Sequence, residues 1–170
     1  GRLPWSPPPR YYTEHMSTVQ IWQTESSSLD DSLALAGQIG RKLRGGEVIE
    51  LISDLGGGKT AFVRGLAAGM GSADQVHSPS FTLSNQYRAG HKTLYHFDFY
   101  RLSEPGIMRD ELAELLDDPS AVVAVEWADI VEDVLPVDRV TVKIKATDEN
   151  ERHFEFSCSE KLQYLFPINT

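Results

Sequence analysis

The hydrophobic pattern changes period several times along the chain, and each change marks an element. Val19 to Gln23 alternates as a short strand does. From Ser26 the period lengthens. Leu29, Leu33, Ala36, Ile39, Gly40 and Leu43 fall on one helical face. Ser26, Ser27 and Ser28 offer caps ahead of it, Asp30 and Asp31 suit its first turn, and Arg41, Lys42 and Arg44 suit its last, before Gly45-Gly46. Glu47 to Ile52 then predicts a strand. A glycine-rich turn follows, and a helix runs from Lys59 to about Met70 with Phe62, Val63, Leu66, Ala67 and Met70 as its buried stripe.

The second half reads differently. His77-Ser78-Pro79-Ser80 is a turn, and Phe81 to Arg88 and Thr93 to Tyr100 predict an antiparallel hairpin across Ala89-Gly90. Met108 to Leu116 is helical between breakers at Glu104-Pro105-Gly106 and Asp117-Asp118-Pro119. Ala121 to Val125 is apolar at every position, as in a strand buried on both faces of a parallel sheet. Val140 to Ala146 and His153 to Cys158 predict a second hairpin that extends one edge, with a short helix at Glu160 to Leu165. The expected fold is α/β and P-loop NTPase-like: a mixed, mostly parallel sheet flanked by helices, with antiparallel hairpins, and with Glu47–Ile52 and Ala121–Val125 central.

Gly1 to Ser17 reads as a separate tail. Pro4, Pro7, Pro8 and Pro9 prevent a helix there. His15-Met16 has the look of a cloning junction before a native start; a native proline-rich interaction tail is the alternative. Residues 18–170 are expected to form a single domain.

Composition narrows the function. The chain has 170 residues, 41% of them hydrophobic, enough for one real core. A formal charge of −9 argues against sequence-independent nucleic-acid binding as the main activity, since that needs a basic face. Cys158 is the only cysteine, so neither an internal disulfide nor a cysteine-rich zinc site is expected. No run has the ~18 apolar residues of a membrane span, and no signal peptide opens the chain, so a cytoplasmic protein is expected.

The candidate chemistry begins in the glycine-rich turn. Leu51-Ile52-Ser53-Asp54-Leu55-Gly56-Gly57-Gly58-Lys59-Thr60 has the order strand, glycine turn, helix start that a phosphate-binding loop needs. Glycines let backbone N–H groups approach phosphate oxygens, and the first helical turn adds unpaired N–H groups. Asp54, Leu55, Gly56, Gly57, Gly58, Lys59, Thr60 and Ala61 are therefore candidate nucleotide contacts. Lys59 is placed for the β- and γ-phosphates and the Thr60 hydroxyl for Mg²⁺. The pattern G-x-x-x-x-G-K-[ST] has Ser53 where its first glycine belongs. Ser53 is expected at negative φ as the end of the strand, with Gly56 to Gly58 making the permissive turn.

Such a loop needs a metal partner, usually an acidic residue ending a neighbouring apolar strand. Glu126 ends Val122-Val123-Ala124-Val125, and Asp98 ends Leu94-Tyr95-His96-Phe97. Either can bind Mg²⁺ or position an attacking water, and the sequence does not decide which does which. Ser80 and Thr82, within Ser78-Pro79-Ser80-Phe81-Thr82, could sense a γ-phosphate, although on these residues alone a plain turn into a strand is the better reading. By residue type alone Trp127 suits a core. His96 suits a hydrogen-bonded structural role, and Arg88, Arg101 and Arg109 suit solvated surfaces more than phosphate clamps. The guanine-reading Asn-Lys-x-Asp tetrapeptide is absent, which favours adenine.

With these residues placed, the chain resembles the bacterial TsaE (YjeE) family, the ATPase component of tRNA threonylcarbamoyladenosine biosynthesis. Four blocks carry the resemblance, which spans roughly Leu29 to Leu135: Asp54 to Thr60; Ser78-Pro79-Ser80-Phe81-Thr82-Leu83; Tyr95-His96-Phe97-Asp98-Phe99-Tyr100-Arg101-Leu102; and Val125-Glu126-Trp127. It implies Mg-ATP binding and slow hydrolysis of ATP to ADP and phosphate. It implies docking onto the heterodimer of TsaD and TsaB family proteins, which transfers the threonylcarbamoyl group to adenosine 37 of tRNA. Hydrolysis would reset that transferase, and tRNA would be held mainly by the partners. By position it makes Lys59, Asp98 and Glu126 the expected catalytic set, Thr60, Glu126 and Asp98 the expected metal residues, and Trp127 a functional residue.

The chain departs from the family pattern at Ser53, where glycine is usual, at Gly57, where alanine is usual, and at Ser80, where threonine is usual. Leu112 stands where a glycine is expected. Two other readings suit the loop: a small-molecule kinase, though no arginine cluster is evident for its lid, and a nucleotide-dependent binding module with little catalysis.

Overall fold

A computed structural model describes residues 19–54, 57–73, 84–100 and 106–167. The elements are β1 (Val19–Ser26), α1 (Leu29–Lys42), β2 (Val48–Ser53), α2 (Lys59–Met70), β3 (Asn85–Ala89), β4 (Lys92–Asp98), α3 (Gly106–Leu115), β5 (Ala121–Glu126), β6 (Val140–Ala146) and β7 (Arg152–Ser159). Short 3₁₀ turns occupy Ala128–Val131 and Glu160–Leu165. The strands form one sheet in the order β1-β7-β6-β2-β5-β4-β3. The middle four, β6-β2-β5-β4, are mutually parallel, while β3, β7 and β1 join antiparallel. The fold is thus α/β, a seven-stranded mixed sheet with a mostly parallel core, flanked by helices.

Strand alternation sorts the core onto two faces. Ile49, Leu51, Leu94, Val122 and Ala124 pack with α1 and α2. Val48, Phe97, Val123 and Val125 pack with Leu112 of α3 and with Val131 and Leu135. All six residues of β5 are buried, which is why its sequence lacks a polar alternation. Helices α1 and α2 approach closely because glycines line their crossing. A Cβ at Gly40 would collide with the Leu66 carbonyl, and one at Gly65 would lie 2.6 Å from the Ala36 Cβ. Tight contact here offsets the poor helix propensity of glycine.

Several expectations change. Strand β1 continues to Ser26, because its whole length pairs with β7 from Val19↔Ser159 to Ser26↔Arg152. The C-terminal hairpin therefore does not form the edge: β6 lies against β2, and β1 covers β7. In α1 the cap is Ser28, whose Oγ accepts from the Asp31 N–H at 3.1 Å. Leu29 is exposed and Leu35 is buried instead; the buried residue of the first turn is Ser32, whose Oγ lies 2.7 Å from the Ser26 Oγ at the end of β1. Met70 is only half-buried against the core. Asn85 begins β3, and Phe81 to Leu83, like the Gly1–Ser17 tail, lie outside the described residues. Glu160–Leu165 is 3₁₀ rather than α-helical. No helix among the described residues is long and apolar enough to cross a membrane.

Candidate nucleotide site

Parallel strands end together, and here β2, β5 and β4 bring three predicted residues to one edge of the sheet. Leu51 is in register with Glu126, and Asp98 with Glu126. Ser53, Asp98 and Glu126 follow the two-residue spacing of Leu51, Leu94 and Ala124, so all three belong to the face that carries α1 and α2. Lys59 opens α2 on that same face. The N-cap of α2 is Gly58 at φ 109, and it places no side chain over the helix end. The first N–H groups of the helix are left to face whatever the loop holds, which is the arrangement an anion needs.

The loop is braced on both sides. Ser53 ends β2, and Trp127 is the one non-glycine residue with positive φ among the described residues, so Ser53 keeps the extended backbone expected of it. Its hydroxyl donates to the Asp54 carbonyl at 3.0 Å, and the Gly57 N–H donates to the same oxygen at 2.9 Å. A Cβ added to Gly57 would overlap the Ser53 Oγ and lie 2.9 Å from the Asp54 carbonyl oxygen and 3.1 Å from the Ser53 Cβ. The two departures from the usual loop pattern are therefore one feature: the Ser53 side chain fills the space that Gly57 leaves open. Arg152 of β7 donates from Nε to the Gly57 carbonyl at 3.1 Å. A trans peptide sets carbonyl and following N–H in opposite directions, so Arg152 turns the Gly58 N–H away from itself.

Lys59 is buried, and its Nζ lies 3.3 Å from the Ser53 carbonyl and 3.6 Å from Glu126 Oε1. It also sits over the Trp127 ring, 4.7 Å from the centroid. Glu126 is itself buried, and its other oxygen, Oε2, lies 2.5 Å from His96 Nε2. Asp98 is exposed and accepts from the Tyr100 N–H at 3.0 Å. Trp127 is 39% exposed at φ 57, with its ring tilted 35° to that of Tyr100 and the centroids 5.0 Å apart. That is no core position, contrary to what its residue type suggests, and a bulky residue at positive φ is the kind of outlier that clusters at functional sites. Thr60 and Ala61 lie in the first turn of α2, with Thr60 exposed. Leu55, Gly56, Ser80, Thr82 and Arg101 lie outside the described residues. Arg109 pairs with Asp133, which holds its guanidinium above the usual range through that hydrogen bond.

Two contributors escape the sequence. Arg152 reaches the loop from 95 residues away, with no motif to signal it. His96 is legible as a buried histidine, but its partner depends on the β4–β5 register. Beside Arg152 lies a cavity of about 170 Å³ between Ser26, Ser27 and Asp31 on one side and Thr147, Glu151 and Arg152 on the other. Hydrogen bonds from the Ser27 side chain and backbone hold the Asp31 carboxyl below the usual carboxylate range.

The donor set suits Mg²⁺. Among the described residues no three His, Cys, Asp or Glu side chains gather into a self-sufficient metal cage. What the site offers is hard oxygen, the Thr60 hydroxyl with the Glu126 and Asp98 carboxylates, beside an open anion cradle. Mg²⁺ is commonly held this way, by one or two carboxylates with the remaining positions left to phosphate and water.

Comparison with known proteins places the chain in a family. Residues 26–154 match the family described as threonylcarbamoyl adenosine biosynthesis protein TsaE. A tRNA threonylcarbamoyladenosine biosynthesis protein TsaE from Bacillus subtilis (strain 168) is 36% identical over 141 residues, covering 81% of this chain and 84% of that protein. The protein of that description from Treponema pallidum (strain Nichols) is 36% identical over 127 residues, covering 75% and 93%. Among solved structures, YdiB of Bacillus subtilis superposes with a TM-score of 0.68 at 30% identity, covering 89% of this chain and 93% of that one.

Proposed function

Since the chain belongs to the TsaE family and so has its role in tRNA threonylcarbamoyladenosine biosynthesis, we propose that it is a Mg-ATP-dependent ATPase. It hydrolyses ATP to ADP and phosphate to reset a partner transferase of the TsaD and TsaB families, with tRNA held through those partners. The observation that carries this reading is the meeting of Lys59 with Glu126 at the open N-terminus of α2.

In this reading the residues divide the work. The N–H groups of the Asp54–Ala61 stretch cradle the phosphates, and Lys59 leaves the Ser53 carbonyl to meet the β- and γ-phosphates. Thr60, Glu126 and Asp98 hold the metal, and Mg²⁺, when bound, supplies positive charge against the phosphate oxygens. Glu126, buried with Oε1 turned to Lys59, is the inner carboxylate; Asp98, exposed, is the outer one, and between them they orient the attacking water. Ser80 and Thr82 respond to the γ-phosphate, and Trp127 with Tyr100 presents an aromatic surface next to Lys59. Residues 18–170 act as one unit, with the tail outside it.

The test is ATP turnover by the protein alone and with its cognate transferase pair. Turnover that rises on adding the pair is expected. ATP bound normally but not hydrolysed in either mixture overturns the enzymatic reading and leaves a nucleotide-dependent binding module.

A further inference from the structure

The nucleotide reading leaves His96 without a role, yet this is a buried imidazole in contact with the inner carboxylate of the site. We propose that His96 is a positioning residue, which holds the Glu126 carboxylate so that Oε1, and not Oε2, is presented to the phosphate loop. The inference rests on the nucleotide-site reading and deepens it.

The geometry begins with register. His96 is paired with Ala124 across parallel strands, so Glu126 is its diagonal neighbour on the same face, one pleat further on. An ionised carboxylate only accepts hydrogen bonds, so the proton lies on His96 Nε2, which donates to Oε2 at 2.5 Å. Oε1 is left toward Lys59 Nζ, at 3.6 Å. A glutamate at a strand end has three side-chain torsions to fix. Its backbone fixes none of them, and Lys59 cannot hold it in the loaded state, because there the lysine turns to phosphate. His96 is the contact with Glu126 that loading leaves in place.

Asp98 shows that the bond is selective. Its Cα is the direct neighbour of Glu126 in the register, but its carboxylate turns into its own loop to accept the Tyr100 N–H. The two acidic groups are thus held by different anchors, His96 for one and a backbone turn for the other. Partners behind a ligating carboxylate generally change metal affinity or activity by 10–100-fold when removed.

The test separates reach from polarity. The amide nitrogen of glutamine falls near the place of Nε2, whereas that of asparagine falls near Nδ1. Nucleotide affinity is measured with and without Mg²⁺ for the wild-type protein and for His96→Gln and His96→Asn, together with thermal melts. Expected is a Mg²⁺-dependent gain in the wild type that falls about tenfold in His96→Asn, is largely restored in His96→Gln, and leaves Mg²⁺-free nucleotide affinity within about threefold. If the asparagine variant does not fold, His96→Phe supplies the arm without a donor. A donorless variant that is folded and keeps the full gain overturns the proposal, as does a glutamine variant no better than asparagine. A wild-type protein that binds no nucleotide overturns the underlying reading, and this inference with it.

Discussion

The two faces of the sheet use the same strands for different ends. On the face under α1 and α2, β4 runs Leu94, His96, Asp98 and β5 runs Val122, Ala124, Glu126, each row becoming polar toward its carboxyl end. On the opposite face Phe97, Val123 and Val125 stay apolar to the end, and Phe97 stacks on Phe99 with ring centroids 6.0 Å apart and planes 5° from parallel. One residue of offset separates a site from a core. The strands end where the polar row begins, so the site costs little core, and substitutions on the two faces should affect different properties.

The sharpest test of that division is Glu126→Gln. It removes the carboxylate and keeps the shape, so turnover should fall by about two to four orders of magnitude, with the melting temperature moving by only a few degrees. Equal loss in both readouts would mean that Glu126 belongs to the core. The opposite face is tested by Phe97→Ala. Emptying that fully buried site should cost about 3–5 kcal/mol and lower the midpoint by about 10 °C, while nucleotide affinity of the folded fraction stays unchanged. A smaller effect belongs to the loop. Gly57→Ala forces a methyl against Ser53 and should weaken nucleotide binding about tenfold, within the ~1–3 kcal/mol usual for overpacking. Adding Ser53→Gly should recover part of it, since a Cβ at 57 still lies 2.9 Å from the Asp54 carbonyl oxygen, so binding measured across the double-mutant cycle should be non-additive.

The smallest effect lies in β7, away from the site. Burial raises the Cys158 thiol from 9.0 to about 11. Its neutral form stabilises the fold fully below the unfolded value, and that contribution is lost as pH rises from about 9 to about 11. Tyr164 is also raised, by burial and by its hydrogen bond to Glu47, and acts in the same direction. Thermal midpoints should decline across that window, and less steeply in Cys158→Ala.

What the sequence disclosed follows the same physics. Apolar runs ending in a carboxylate gave Asp98 and Glu126, because a buried strand and its exit are both local facts. Lys59 was legible from the glycines before it. Leu29 misled because helical periodicity does not say which residue of the first turn the end of β1 covers, and it covers Ser32. Arg152 was invisible because its contact with Gly57 is purely tertiary. Trp127 read as core because residue type carries no information on a left-handed backbone. Ser53 and Gly57 were visible as two departures, but only their shared volume shows them to be one.

That shared volume ranks the loop variants. A loop with serine at 53 and glycine at 57 and a loop with the bulk exchanged, glycine then alanine, fill one space from opposite sides. Passing between them one substitution at a time means going through serine with alanine, which collides, or through glycine at both positions, which leaves a small hole. The hole is the milder fault. Of the two intermediates, the doubly glycine loop should therefore keep the fold and the serine-alanine loop should be the one that must shift its backbone.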